Sequence, residues 1–195
     1  KINIKRGNHI SDIGYFNLYE QAVVSITVLS KTKKNIKNYD RLRIYIGTQE
    51  VMARIYIFEK KNISSGESSG AILKFEKPTV LSVNDNFIIR QYSPLITIGG
   101  GRILDYKVFR KWKDNKKYVD LINTKKNTSY QMIIIISIRG LAPFSYESLG
   151  QYLDLSVSKI NTIINNEKDI IIMDNKWILT KSQLSENIKN ILEYF

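Results

Sequence analysis

The sequence contains no cysteine, which excludes a disulfide framework and any thiolate metal site. Its single histidine, His9, argues against a histidine-based metal cluster and against a catalytic triad. Long apolar runs are also missing. The longest is Met132–Ile136, far short of a membrane span, and no signal peptide is visible. There is no G-x-x-x-x-G-K-[ST] motif and no G-x-G-x-x-G that opens a helix after a strand. Carboxylates are scattered, with no pair placed for acid/base work. The chain is therefore expected to hold no catalytic residue, no metal site and no cofactor of its own.

Positive charge is abundant. Thirty Lys and Arg face 18 Asp and Glu, a net charge of +12 with a pI near 9.7. Such a balance favours a polyanionic partner. Solvated lysines are the competing explanation, because Ile, Asn and Lys are all frequent, as in proteins translated from AT-rich genes. Hydrophobic residues make up 43%, enough for a packed core. The length of 195 residues suits one large domain or two small ones. The first residues are already strand-like, so the chain is expected to be a piece of a longer protein.

The first part has a β pattern. Ala22–Leu29, Leu42–Ile46, Val51–Phe58, Ala71–Phe75, Phe87–Gln91 and Ile96–Leu104 predict about six strands at barrel or sandwich spacing. The connectors carry turn chemistry: Gly47-Thr48-Gln49, the basic Lys31–Asn38, the Gly/Ser-rich Ser64–Gly70, and Ser82–Asn86. After Tyr106 the period changes. Val108, Trp112, Val119 and Ile122 recur at helical spacing. A helix follows over Ser129–Arg139. Ser145 and Ser156 are N-cap candidates for two more. Val157, Ile160, Ile163 and Ile164 form an apolar stripe on the second of these. Ile170–Met173 and Trp177–Leu179 flank a tight turn, and Lys181–Phe195 closes the chain as a helix. Helix, helix-turn-helix, hairpin is the winged-helix order.

Arg90–Asp105, RQYSPLITIGGGRILD, stands apart from this pattern. Glycine in a strand weakens it, so three in a row mark a bend, a bulge or a close backbone approach. Strand-like residues follow, which rules out a phosphate loop. Alternation places Arg41, Arg43 and Tyr45 on one face of their strand, with Arg54 on the equivalent face of the next. That face is either solvated or a set of phosphate contacts on a rigid sheet. Tyr45 and Tyr56 face a core or an RNA backbone. His9 suits an ordinary strand or turn position, and Trp112 and Trp177 suit core positions. The helix after Ser156 exposes Ser158, Lys159, Asn161, Thr162 and Asn165, too little positive charge for a typical DNA reader.

Leu42–Ile55, LRIYIGTQEVMARI, resembles the strand–GTxEVxAR–strand hairpin of domain III in selenocysteine-specific translation elongation factors. Asn86–Asp105 is similar to the same family's F-[IV]-[IVL]-R-x-[YF]-S-P-x-x-T-I-G-G-G-x-[IVL]-L-D segment. Lys5–Ile10 (KRGNHI) resembles the last strand of the preceding domain II barrel. The resemblance implies a six-stranded barrel like domain III of elongation factor Tu, then an α+β winged-helix domain. The implied bounds are 1–18 for the end of domain II and a connector, 19–106 for the barrel, and 107–195 for a linker helix and winged helix.

The resemblance further implies a cytoplasmic, monomeric part of a GTPase that carries selenocysteyl-tRNA to ribosomes paused at a recoded UGA codon. GTP and magnesium belong to the full-length family and not to these residues. An mRNA hairpin would be gripped by winged helices other than this one. Matched residue by residue, tRNA contacts fall on Lys77 and on Arg90, Gln91, Tyr92 and Ser93, with Arg41 and Arg43 beside them. Lys and Arg suit phosphates, while Gln, Tyr and Ser suit ribose 2′-hydroxyls. Gly47 is assigned to the hairpin, and Gly99, Gly100 and Gly101 to barrel closure. The basic loop Lys31–Lys37 has no assigned role. Two other readings stay open: a winged-helix transcription regulator with a ligand-binding barrel, and a structural spacer.

Overall fold

The computed structural model describes residues 4–124, 127–138 and 142–194. It divides into two compact units, Lys1–Asp120 and Leu121–Phe195. Arg139 and Phe195, the expected ends of two helices, and the first residues of the expected connector lie outside the described residues.

The first unit is built on six antiparallel strands. They are β1 (Leu18–Val28), β3 (Arg41–Ile46), β4 (Gln49–Ile57), β6 (Ser68–Val80), β7 (Asn86–Arg90) and β8 (Thr97–Asp105). Hydrogen bonding runs β1-β6-β4-β3-β7-β8 and closes through β8 onto β1. A two-residue pair, β2 (Ile36–Lys37) with β5 (Asn62–Ile63), sits beside the barrel sheet. The expected six-stranded barrel is present. Leu42, Ile44 and Ile46 alternate inward with Val51, Ala53, Ile55 and Ile57 on the neighbouring strand. Leu73, Ile89 and Ile103 complete a closely packed core with no exposed surface.

Two departures from the sequence reading have clear causes. Residues 4–17 form no strand; Lys5–Ile10 is a turn in which Asn8 N–H donates to Lys5 O at 3.1 Å. The two compact units divide after Asp120, within the helix expected to link the barrel to the winged helix. Helix α1 (Trp112–Thr124) begins against the barrel. Trp112 meets Phe58 edge-on at 4.8 Å, and Lys116 pairs with Glu59 at 2.9 Å. Val119 packs where a Cβ on Gly70 would lie, 2.7 Å from Val119 Cγ1. The sequence places Gly70 at the end of a turn-rich connector, Ser64–Gly70, but it belongs to β6 and leaves room for this helix. Tyr118 donates its hydroxyl to the Asp105 carboxylate, and both groups are buried.

The triple glycine closes the barrel. Gly99, Gly100 and Gly101 pair with Val28, Thr27 and Ile26 on one side and with Ile89, Ile88 and Phe87 on the other. A Cβ on Gly99 would lie 2.6 Å from Thr27 O, and one on Gly100 would lie 2.8 Å from Phe87 O. On Gly101 it would strike Ser25 O and the Phe87 ring. These obstacles are mostly backbone, so they cannot swing away.

The second unit has the winged-helix order. Helix α2 (Thr128–Ser137) precedes β9 (Phe144–Ser145), α3 (Tyr146–Leu153) and α4 (Val157–Asn165). Then come β10 (Ile170–Met173), β11 (Trp177–Thr180) and α5 (Lys181–Tyr194). The sheet order is β10-β11-β9. Ser145 caps α3 with a reciprocal capping box, and Ser156 caps α4, as their spacing predicts. Ile160 and Ile164 are buried, but Val157 of the expected stripe is exposed. Trp112 and Trp177 are about half in solvent, 42% and 38% exposed, so neither is a core residue. Each stands at the edge of an element and not in a stripe. Among the described residues, no helix is long and apolar enough to cross a membrane.

Two stability outcomes follow. Gly101→Ala should cost about 3 kcal/mol or more, because backbone must move. Tyr118→Phe should cost about 1.5–3 kcal/mol, since it strips a hydrogen bond from a buried carboxylate. Urea denaturation of each variant measures both.

Candidate nucleic-acid interface

Strands β3, β6 and β7 and the turn after β7 carry the candidate residues. Register sets Arg41 opposite Arg54, and Arg54 opposite Lys74, a cationic row across three strands. Arg43 lies opposite Arg90. The expectation that Arg41, Arg43 and Tyr45 share the outer face holds, since the intervening Leu42 and Ile44 are buried.

Arg41 and Arg43 are not free cations. Arg41 donates twice to Glu76, from Nε at 2.6 Å and Nη2 at 2.8 Å. Arg43 donates to Glu50 at 2.6 Å. The hydrogen bond from Arg41 holds the Glu76 carboxyl below its usual range, and the same bond pushes Arg41 further up. Both guanidiniums lie over the Tyr92 ring, at 5.4 and 5.6 Å from its centroid. Tyr92 is thus a shared base on which two arginines are spread. Arg43 Nε is buried with no acceptor.

Arg90 differs. It follows a register break between β7 and β8, where Ile89 faces Gly99 and Arg90 faces Thr97. Its Nε donates to Thr97 Oγ1 at 3.2 Å, and its guanidinium lies over Tyr45 at 5.5 Å. Among the described residues, neither Arg90 nor Lys77 has an ion-pair partner. The turn after Arg90 is held by Gln91, whose N–H donates to Ile96 O at 2.9 Å. Gln91 Nε2 donates to Ser93 O at 2.6 Å, ahead of a cis Ser93–Pro94 bond.

The candidate residues fall into two neighbouring clefts. Arg41, Gln91, Tyr92 and Ser93 line an open cleft of about 490 Å³ with Lys33, Lys34 and Lys37. Lys77 and Arg90 line a second, also about 490 Å³, with Lys5, Arg6 and Tyr45. Arg43 stands between them, opposite Arg90 and over Tyr92. The carboxylates here are already engaged: Glu50 and Glu76 with arginines, and Asp40 Oδ2 with Lys37 N–H at 2.7 Å. Sequence reasoning missed Lys33, Lys34, Lys37, Lys5 and Arg6 as members. The Lys31–Lys37 run was visible as charge, but only the closed barrel brings it beside Gln91-Tyr92-Ser93.

The triple glycine lies within β8, hemmed by carbonyls, and cannot cradle phosphates. Among the described residues, no group of three or more His, Cys, Asp or Glu could hold a metal ion. On the second unit, α4 exposes Lys159 as its only cation.

Residues 23–110 match the family model described as the selenocysteine-specific elongation factor, beta-barrel domain. A selenocysteine-specific elongation factor of Desulfomicrobium baculatum is 24% identical over 116 residues. That alignment covers 60% of this chain and 18% of the relative's length.

Proposed function

Because its barrel is of the selenocysteine-specific elongation factor type, we propose that this chain is the part of such a factor that holds selenocysteyl-tRNA by its acceptor/T-stem side. The carrying observation is the pair of cations without carboxylate partners among the described residues, Lys77 and Arg90, in a cleft with Lys5 and Arg6. Phosphates of a duplex stem are the ligand such a surface suits, because spaced cations on a rigid sheet match a regular backbone and read no bases. Gln91, Tyr92 and Ser93 add groups able to hydrogen-bond 2′-hydroxyls, which mark RNA.

Arg41 and Arg43 then act as positioned groups. Each already shares its charge with a carboxylate, so a phosphate would compete with Glu76 or Glu50. The ribosome, and an mRNA hairpin bound by other winged helices, are partners of the whole factor on this reading. GTP with magnesium would be bound by motifs outside these residues. The recognition-helix surface of α4, with its single lysine, does not favour a DNA-reading regulator.

Two measurements test the reading. Lys77→Ala with Arg90→Ala should weaken tRNA binding about 10-fold or more at moderate salt and lower the salt slope by about 2. Unchanged affinity and slope in a filter-binding titration would overturn it. Glu76→Gln should release Arg41, raise tRNA affinity about 2- to 5-fold and steepen the slope by up to about 1.

A further inference from the structure

A third cleft, of about 520 Å³, shares no lining residue with the other two and is lined by aromatic rings and lysines. Tyr39, Tyr56 and Trp112 supply the rings, and Lys60 and Lys61 the charge. All of these residues belong to the first unit.

Two lining residues, Tyr39 and Glu59, have left-handed backbones, and Tyr39 is the aromatic one. Its φ is +71°, in the left-handed region that disfavours a large side chain. The surrounding backbone fixes it there. Tyr39 N–H donates to Ile55 O at 2.8 Å, and Arg54 Nη1 donates to Tyr39 O at 3.0 Å. On either side, Asn38 N–H donates to Lys61 O and Asp40 N–H to Lys37 O. Glycine would suit this turn without strain, yet a tyrosine occupies it with its side chain mostly in solvent, 58% exposed. Strain of this kind tends to persist where the side chain has a task. The Tyr39 ring stands perpendicular to Tyr56, 5.3 Å between centroids at 88°, so that neighbour can cover at most one of its two faces. Trp112, 42% exposed, meets Phe58 edge-on in the same way.

We infer that this cleft takes an unpaired nucleobase of single-stranded RNA, stacked on Tyr39 beside Trp112, with the flanking phosphate on Lys61. Open aromatic faces beside cations are what non-sequence-specific single-strand sites use. An aromatic cage for a quaternary ammonium is the competing chemistry, but Lys60 and Lys61 would repel it. The one carboxylate lining the cleft, Glu59, is paired with Lys116. Among the described residues Lys61 has no ion pair, whereas Lys60 reaches Glu67 at 3.4 Å. This inference uses none of Lys77, Arg90 or the 91–93 turn, so it stands or falls apart from the tRNA reading.

The test follows Trp112 fluorescence in the full chain carrying Trp177→Phe. Titration with an unstructured hexanucleotide RNA should quench Trp112, while inorganic polyphosphate of equal charge should not. Tyr39→Gly relieves the strained backbone, so the variant should melt no lower than its parent and still bind the hexanucleotide about 10-fold more weakly. Lys77→Ala with Arg90→Ala should leave hexanucleotide binding unchanged. Absence of quenching, equal quenching by polyphosphate, or full affinity in Tyr39→Gly would overturn the inference. So would binding of tetramethylammonium in preference to RNA.

Discussion

Everything on the first unit depends on how closely three strands approach at Gly99–Gly101. Where β8 joins β7 to β1, the space that side chains would need is taken by the carbonyls of Ser25, Thr27 and Phe87. A six-stranded antiparallel sheet leaves two edges, each a row of unpaired backbone groups. Closure removes both, and here it is possible because β8 has no Cβ atoms at the tightest point. The register between β7 and β8 breaks after Ile89, the partner of Gly99. Arg90 keeps the outward alternation of β7, and the Gln91–Ile96 turn starts directly after it. The glycines thus contact no ligand on the proposed reading, yet they close the barrel beside the strand that leads into the cationic turn.

On that scaffold, charge is sorted into two kinds. Arg41 and Arg43 are engaged by Glu76 and Glu50 and spread over Tyr92. Exposed pairs of this sort add little to stability. Their effect is geometric: long side chains are held in one orientation, and the surface presents fixed guanidiniums in place of a mobile fringe. Lys77 and Arg90 keep their charge uncompensated among the described residues. A surface that mixes held and free cations can bind a phosphate backbone without attracting every polyanion equally, because each held arginine must give up a carboxylate to engage a phosphate. The net charge of +12 alone could not reveal this sorting.

The barrel strands were legible because inward β-branched residues alternate with outward polar ones, as in Arg41–Ile46, and because turn residues punctuate them. The caps Ser145 and Ser156 were legible for a local reason: an N-cap acts on backbone groups within one turn. What could not be read was long-range. Gly70 sits at the end of a turn-rich run, and only the arrival of Val119 shows that a helix needs the gap. The Trp112 helix has an apolar face whichever unit it packs against, so its period could not place the division after Asp120. The partners of Arg41 and Arg43 are set by strand register. Glu50 is seven residues from Arg43, but Glu76 is 35 residues from Arg41, and no local pattern links them.

Tyr39 shows how this distinction extends to function. In sequence it is a polar-loop tyrosine before Asp40, with no feature of its own. Its left-handed backbone becomes visible only once β2, β5 and β4 hold the turn from three sides. The hydrogen bonds that fix the turn are made by backbone groups of residues 37, 38, 39 and 40, and by Arg54, so they would hold a glycine equally well. The aromatic ring is therefore not needed to form the turn that presents it. A side chain that the fold does not require, in a conformation that the fold makes costly, beside lysines and an exposed tryptophan, is better explained by what it touches in a partner than by what it stabilises in the barrel.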